Sequence, residues 1–191
     1  MRSEIKIGFI GAAGTGKSTI ARLLSRKMDI EFRAAKNITQ QILDREGYEY
    51  GSGVRVERFL ADTQRQLEIL NETVNMHKKS GSYVTDRTVI DLAAYALCEM
   101  HDSNPRALKN IMSKCHKNLC LYTHLFLCPW IFAEIKPNHK RTLNPWYQML
   151  IHTIELGLVE EWGVDVVVLK TESSEDRAEE VLGIIGQGEQ K

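Results

Sequence analysis

Five short apolar runs punctuate the chain, at 5–10, 30–35, 82–85, 123–128 and 164–169, and the longer stretches between them carry apolar residues at helical spacing. Runs of this length predict strands, the intervening periodicity predicts helices, and the alternation predicts an α/β fold. Near-continuous apolar character, clearest in Val164-Asp165-Val166-Val167-Val168-Leu169, suits parallel strands covered on both faces. In such a sheet ligands collect at the carboxyl ends of the strands. A long helix is predicted over Glu57–Lys79, with Phe59, Leu60, Leu67, Leu70 and Val74 on one side, and others over Val89–Met100 and Trp146–Glu161. The Gly- and Ser-containing stretch Glu46–Gly53 reads as a loop, and the tail from Gly186 is expected to fray.

Residues 11–18, Gly-Ala-Ala-Gly-Thr-Gly-Lys-Ser, fill the G-x-x-x-x-G-K-[ST] pattern directly after the first strand and before a helical segment. Glycines there turn the chain while successive amides point inward at an anion, and a triphosphate is the natural occupant. Gly11, Ala12, Ala13, Gly14, Thr15, Gly16, Lys17, Ser18 and Thr19 are therefore the expected nucleotide-binding set. Lys17 supplies the cation at the β/γ positions, and the Ser18 hydroxyl is a candidate ligand of Mg²⁺.

The strand at 82–85 ends on Asp86-Arg87-Thr88. A carboxylate at that strand end shares the crevice of the phosphate loop, where it can hold the magnesium shell or accept the proton of an attacking hydroxyl. The Arg87 guanidinium can bind phosphate or steady charge in the transition state. The competing structural reading makes Asp86 merely the cap of the helix that follows. After the fourth strand comes the cationic, proline-interrupted stretch at about 134–144, which contains Lys136, Lys140 and Arg141. A closing lid is expected there, with Arg141 its best candidate for meeting the donor phosphates.

Composition narrows the partners. Lys plus Arg and Asp plus Glu number 25 each, so the formal charge is zero and no global field draws the protein to a nucleic-acid backbone. No run reaches the ~18 apolar residues of a membrane span. Met1-Arg2-Ser3-Glu4 leads straight into the first strand, and a cytosolic protein is expected. The four cysteines form no C-x-x-C pair and read as core thiols.

The Gly11–Ser18 loop, the Thr85-Asp86-Arg87 strand end with Thr88–Tyr95 after it, and Lys140-Arg141 before a long helix together resemble P-loop kinases of the nucleoside and nucleotide kinase group. The likeness is greatest to small AAA-type ATPase/kinase domains similar to nicotinamide riboside kinase, which are also common in bacteriophages. That resemblance implies one domain over 1–191, a three-layer α/β sandwich with a five-stranded parallel sheet in the order 2-3-1-4-5, a lid, ATP as donor and Mg²⁺ as its companion. It also implies Lys17, Asp86, Arg87 and Arg141 as catalytic residues, Ser18 and Asp86 as metal ligands, and an acceptor region at about 32–66. Pro137-Asn138-His139 stands where the riboside-kinase-like group carries an acidic Asp-Asp-Gly.

For the acceptor, Arg33, Lys36, Arg58 and Gln64 are the expected binding residues: cations suit a substrate that already carries phosphate, and Gln64 can pair with a base edge. The acceptor is then a nucleoside, a nucleotide, or a modified nucleobase hydroxyl, including a hydroxymethylated base extruded from DNA. Nucleic acid is the less favoured partner, no membrane is expected, and a homodimer stays open. The other class of reading is an ATP-binding switch or regulatory module. A GTPase switch would carry Asn-Lys-x-Asp after the fourth strand, where Leu127-Cys128-Pro129-Trp130 stands instead.

Overall fold

The computed structural model of the chain describes residues 4–46, 62–101, 104–130 and 144–188. In chain order the elements are β1 (Lys6–Ile10), α1 (Lys17–Met28), β2 (Glu31–Arg33), α2 (Lys36–Arg45), α3 (Thr63–His77), β3 (Tyr83–Thr85), α4 (Val89–Met100), α5 (Pro105–Lys117), a 3₁₀ turn (Leu119–Leu121), β4 (His124–Leu127), α6 (Pro145–Glu161), β5 (Val167–Val168) and α7 (Ser174–Gly188). The strands form one five-stranded sheet in the order β2-β3-β1-β4-β5, and every pairing is parallel. This is the expected order, with β1 at the centre and the loop that follows it in the middle of the sheet's carboxyl edge.

Alternation along the strands divides the core in two. Ile7 and Phe9 of β1, Val84 of β3 and Phe126 of β4 face one side, where they meet Ile20, Ala21 and Leu24 of α1 and Ala178, Val181 and Ile185 of α7. Ile10, Leu125 and Leu127 face the other side, against α2 to α6. Burying such side chains contributes roughly 1.5–3 kcal/mol each. α4 lies deepest: Val89, Ile90, Leu92, Ala93, Ala94, Ala96 and Met100 are all buried, which explains its almost uninterrupted apolar sequence.

Several boundaries differ from expectation. α3 starts at Thr63, where the Asp62 side chain accepts the Arg65 amide and caps it; residues 57–61 of the expected helix lie outside the described residues. α7 continues through Gly188, so Gly186 is helical rather than the start of a frayed tail. β5 is a two-residue edge strand, and Val167 and Val168 are 39% and 45% exposed rather than covered on both faces. Among the cysteines, Cys115 and Cys128 are buried, Cys98 is half-buried and Cys120 is exposed, so not all are core thiols. No helix among the described residues is long and apolar enough to cross a membrane.

Gly8 shows how tightly the central strand is gripped. A Cβ there would stand 2.6 Å from Thr88 Cγ2, 2.9 Å from Leu125 Cδ2 and 3.0 Å from Tyr122 Cδ1. Thr88 cannot readily yield, because its hydroxyl is hydrogen-bonded to Asp91 at 2.8 Å. Gly8→Ala is expected to cost about 1–3 kcal/mol by overpacking. Urea unfolding should show a lower midpoint at unchanged slope, whereas an unshifted midpoint would mean the strand has room there.

Candidate active site

The phosphate loop follows β1 and enters α1. Gly11, Gly14 and Gly16 have φ of +145°, +95° and +91°, a region that side chains rarely adopt. At Gly11 a Cβ would also meet the Cys128 carbonyl at 2.6 Å, so both conformation and space require glycine. α1 begins without a side-chain cap and with no acid in its first turn, so its amino end presents uncompensated amides and positive dipole. That is a site for phosphate. The loop is braced internally, the Thr15 hydroxyl donating to the Ala12 carbonyl at 3.0 Å.

Lys17 is 8% exposed. Its ammonium donates to the Gly11 carbonyl and, at 2.9 Å, to the Ala12 carbonyl, and Asp91 Oδ1 lies 3.8 Å away. Ser18 Oγ donates to Asp86 Oδ2 at 2.5 Å. Asp86 is 2% exposed, and its other oxygen, Oδ1, is buried with no hydrogen-bond partner. A hydroxyl and a carboxylate side by side, with an unused carboxylate oxygen, form an oxygen donor set that fits a hydrated Mg²⁺ ion. The cap reading of Asp86 is excluded. α4 is capped by Thr88, whose side chain accepts the Ile90 amide while Asp91 accepts the Thr88 amide.

Arg87 extends from the same turn, with its guanidinium carbon 4.9 Å from the centre of the Tyr95 ring. The Tyr95 hydroxyl accepts the Ala13 amide, and burial pushes its pKa up to about 12, so it stays protonated. Asp91 and Tyr95, four residues apart on α4, thus face the phosphate loop, and Arg87 lies over Tyr95 from the turn before that helix. From α6, Glu155 enters the same pocket. It is completely buried, with Asp91, Lys17 and the Gly11 amide about it.

The loop also has an anchor that sequence reading missed. Arg177 of α7 is 4% exposed and donates through Nη1 to the Thr15 carbonyl at 2.8 Å and through Nε to the Thr171 carbonyl at 2.6 Å. The last helix thereby holds the loop from behind. Arg177→Ala is expected to lower stability by about 2–4 kcal/mol, because hydrogen bonds from a charged donor are worth roughly 1.5–3 kcal/mol each. Arg177→Lys should rescue only part of this, since a point donor cannot span two carbonyls as a fork does. Thermal unfolding of both variants checks it; an unshifted Arg177→Ala transition would show that the bonds are incidental.

The expected acceptor residues separate. Arg33 does not face the crevice. It is 2% exposed, and its guanidinium donates to the carbonyls of His77, Lys79 and Ser80 at 3.3, 3.0 and 2.9 Å, pairs with Glu31 at 2.7 Å and lies 4.2 Å over the Tyr83 ring. These partners precede β3 or open it, so the side chain runs back toward the amino end of the sheet. Its assignment to substrate is corrected to a structural pin. Nearby, His77 bridges Tyr122 and Thr85, and burial, with Arg33 beside it, holds its pKa down to about 3. Lys36 opens α2, and Gln64 is exposed in the first turn of α3. Arg58, the Glu46–Gly53 loop from residue 47 onward, and nearly all of the lid with Lys136, Lys140 and Arg141 lie outside the described residues.

Strand order, glycine loop, helix amino end and Ser18–Asp86 pair define an α/β P-loop protein with a kinase-like fold. The chain belongs to the AAA domain family, whose model matches residues 6–177. No curated protein is close enough in sequence to count as a relative. Among solved structures it resembles deoxyadenosine kinase from M. mycoides with products dCMP and a flexible dCDP bound (TM-score 0.65, 15% identity, covering 96% of this chain and 99% of that one). It also resembles NadR in complex with NR (0.67, 12%, covering 96% of this chain and half of that one). A third likeness is thymidylate kinase from Candida albicans (0.60, 15%, covering 97% and 92%). At these identities the likeness is one of fold.

Proposed function

We propose that the protein is an ATP-dependent kinase that transfers the γ-phosphate to a hydroxyl of a nucleoside, a nucleotide or a modified nucleobase. One observation carries the reading: the Ser18 hydroxyl and Asp86 carboxylate meet at 2.5 Å beside the phosphate loop, with a buried carboxylate oxygen to spare and Arg87 next in the chain. Loop amides and Lys17 bind the donor's phosphates, and Ser18 with Asp86 would hold magnesium, which neutralises charge on the β- and γ-oxygens when bound. The acceptor oxygen forms its bond to the γ-phosphorus as the bond to the bridging oxygen breaks, ADP leaves with that electron pair, and the acceptor's proton passes to a carboxylate or to solvent. Arg87 is placed to steady the transferred group. Arg141, closing from the lid segment, is proposed as a second cation there.

Fold neighbours that act on deoxyadenosine or thymidylate support an acceptor of nucleoside or nucleotide type. With Arg33 committed to the sheet, the case for an arginine-lined pocket weakens, and a neutral nucleoside gains ground over a monophosphate. The test is ADP release by the full chain with ATP and Mg²⁺ across nucleosides, their monophosphates, nicotinamide riboside and hydroxymethylated DNA. One class should raise turnover well above the water background. ATP binding with no acceptor-dependent ADP release from any of them would favour a regulatory module instead.

A further inference from the structure

His77 has no part in the proposed chemistry, yet among the described histidines it alone is fully buried. It closes α3, where the helix dipole favours a cation exposed to water. Instead the ring is clamped between aromatic neighbours. Tyr83 stacks on it with centroids 5.4 Å apart and planes 16° apart, and Tyr122 meets it edge-on at 5.5 Å. A phenylalanine would serve that packing equally well. What it could not supply is the pair of hydrogen bonds made by the imidazole, from Nδ1 to the Tyr122 hydroxyl at 3.0 Å and from Nε2 to the Thr85 hydroxyl at 3.1 Å.

A count of protons gives each of these bonds its direction. The Thr85 hydroxyl has one proton and two carbonyls to receive it, Arg33 at 2.7 Å and Arg87 at 3.2 Å. With that proton committed, His77 Nε2 must carry a hydrogen and donate it to Thr85. On the other side, the Tyr122 oxygen accepts the Val89 amide, the first of α4, at 3.0 Å. The phenol's own proton then goes to Nδ1, which is bare. A second proton on the ring would leave the phenol proton without that acceptor. Burial, followed by the charge of Arg33, opposes it as well and holds the His77 pKa down to about 3.

We propose that His77, as the neutral Nε2–H tautomer, is a positioning residue for the Asp86–Arg87 turn: through Thr85 it fixes the residue before the turn and the Arg87 carbonyl within it, and through Tyr122 the first amide of the helix after it. Residues 85 to 89 are tied in this way to one rigid ring. The Thr88 amide between them is taken by Asp91 at 2.8 Å, and Asp86 is left where it receives the Ser18 hydroxyl. What Asp86 and Arg87 do there rests on the kinase reading; how they are held does not. None of these ties ends on the amides of the phosphate loop or on Lys17, so loosening them should displace Asp86 and Arg87 and spare the binding of the donor's phosphates.

Two substitutions separate the arms. His77→Gln carries an amide nitrogen where Nε2 stands and can still donate to Thr85, whereas His77→Asn carries an oxygen where Nδ1 stands and keeps only the Tyr122 arm. ADP release from ATP at saturating Mg²⁺, across the nucleosides and monophosphates named above, should show kcat falling roughly 10- to 10²-fold in His77→Asn, the scale set by a misplacement of about 1 Å. His77→Gln should recover much of that loss, and KM for ATP should hold in both. A residue that only fills the core would instead lower the melting temperature of both variants and leave kcat alone. Should His77→Asn fail to fold, Thr85→Val and Thr85→Ser carry the same comparison, the first losing the hydroxyl and the turnover, the second keeping both.

The tautomer is read on the wild-type chain, from nitrogen–proton correlations of protein labelled with ¹⁵N-histidine. An Nε2–H ring at His77 is expected, together with a Val89 amide that exchanges slowly until Tyr122→Phe removes its acceptor. An Nδ1–H ring, or kcat in folded His77→Asn and Thr85→Val equal to that of wild type, would overturn the proposal. If no acceptor releases ADP, an Nε2–H ring and a Val89 amide freed by Tyr122→Phe would leave the tether standing and remove only the kinase reading.

Discussion

A Lys17→Met protein is expected to fold and to lose phosphoryl transfer by at least ~10²–10³-fold, the range seen when one preorganised electrostatic donor is removed from a transition state. The loop loses the Lys17 bonds to the Gly11 and Ala12 carbonyls, but its turns are set by Gly11, Gly14 and Gly16 and the braces from Thr15 and Arg177 remain. What is lost is the cation that follows charge as it grows on the bridging oxygen, an interaction that strengthens on the way to the transition state and so appears in kcat. Stability should respond too. Asp91 and Glu155 would keep their burial but lose the ammonium, and the melting temperature should drop more at neutral pH than in acid, where both carboxyls are protonated. ADP release and calorimetry on one sample check both points. Near-normal kcat in the folded variant would take the phosphate loop out of the chemistry.

What the sequence shows of this site is whatever a local pattern encodes. The glycine loop has to turn at fixed offsets between a strand and a helix, and Asp86-Arg87 has to follow a strand end, so both can be read from neighbours in the chain. Asp91 was half visible, as the residue one helical turn after Arg87 and the acid that completes a capping box with Thr88. Glu155 and Arg177 were not visible. Glu155 is a lone acid in an apolar stretch and Arg177 is one charge among several in Glu175-Asp176-Arg177-Ala178-Glu179-Glu180, and nothing local says that either turns inward; the Thr15 carbonyl that Arg177 meets lies 162 residues away. Arg33 misled for the same reason: its place at the end of β2 suggests the crevice, whereas the carbonyls of residues 77–80 capture its guanidinium from the opposite end of the sheet. The sheet order came from a family likeness, and the alternation of runs alone would have left it open. Even the buried look of the fifth run was deceptive, because composition does not say which strand will be an edge.

Asp86→Asn separates two roles that the sequence could not. If Asp86 works with Ser18 to hold magnesium, the amide keeps one oxygen for the Ser18 hydroxyl but presents a neutral face to the cation. Turnover should fall by ~10²–10⁴-fold at ordinary magnesium, a range that also covers loss of a general base, so kcat alone decides nothing. The discriminating measurement is the magnesium concentration giving half-maximal rate. It should rise at least ~10-fold in Asp86→Asn, by the loss of roughly 1.4 kcal/mol or more of attraction to the ion, and high magnesium should restore part of the rate. A base would behave differently: the half-saturating magnesium would hold steady, no concentration would rescue turnover, and the acidic limb of the kcat profile would vanish. Stability should change little in either case, because Thr88 and not Asp86 caps α4 and the variant preserves shape and the Ser18 contact. A folded Asp86→Asn protein with normal kcat and normal magnesium dependence would leave the Ser18–Asp86 pair without a part in the reaction.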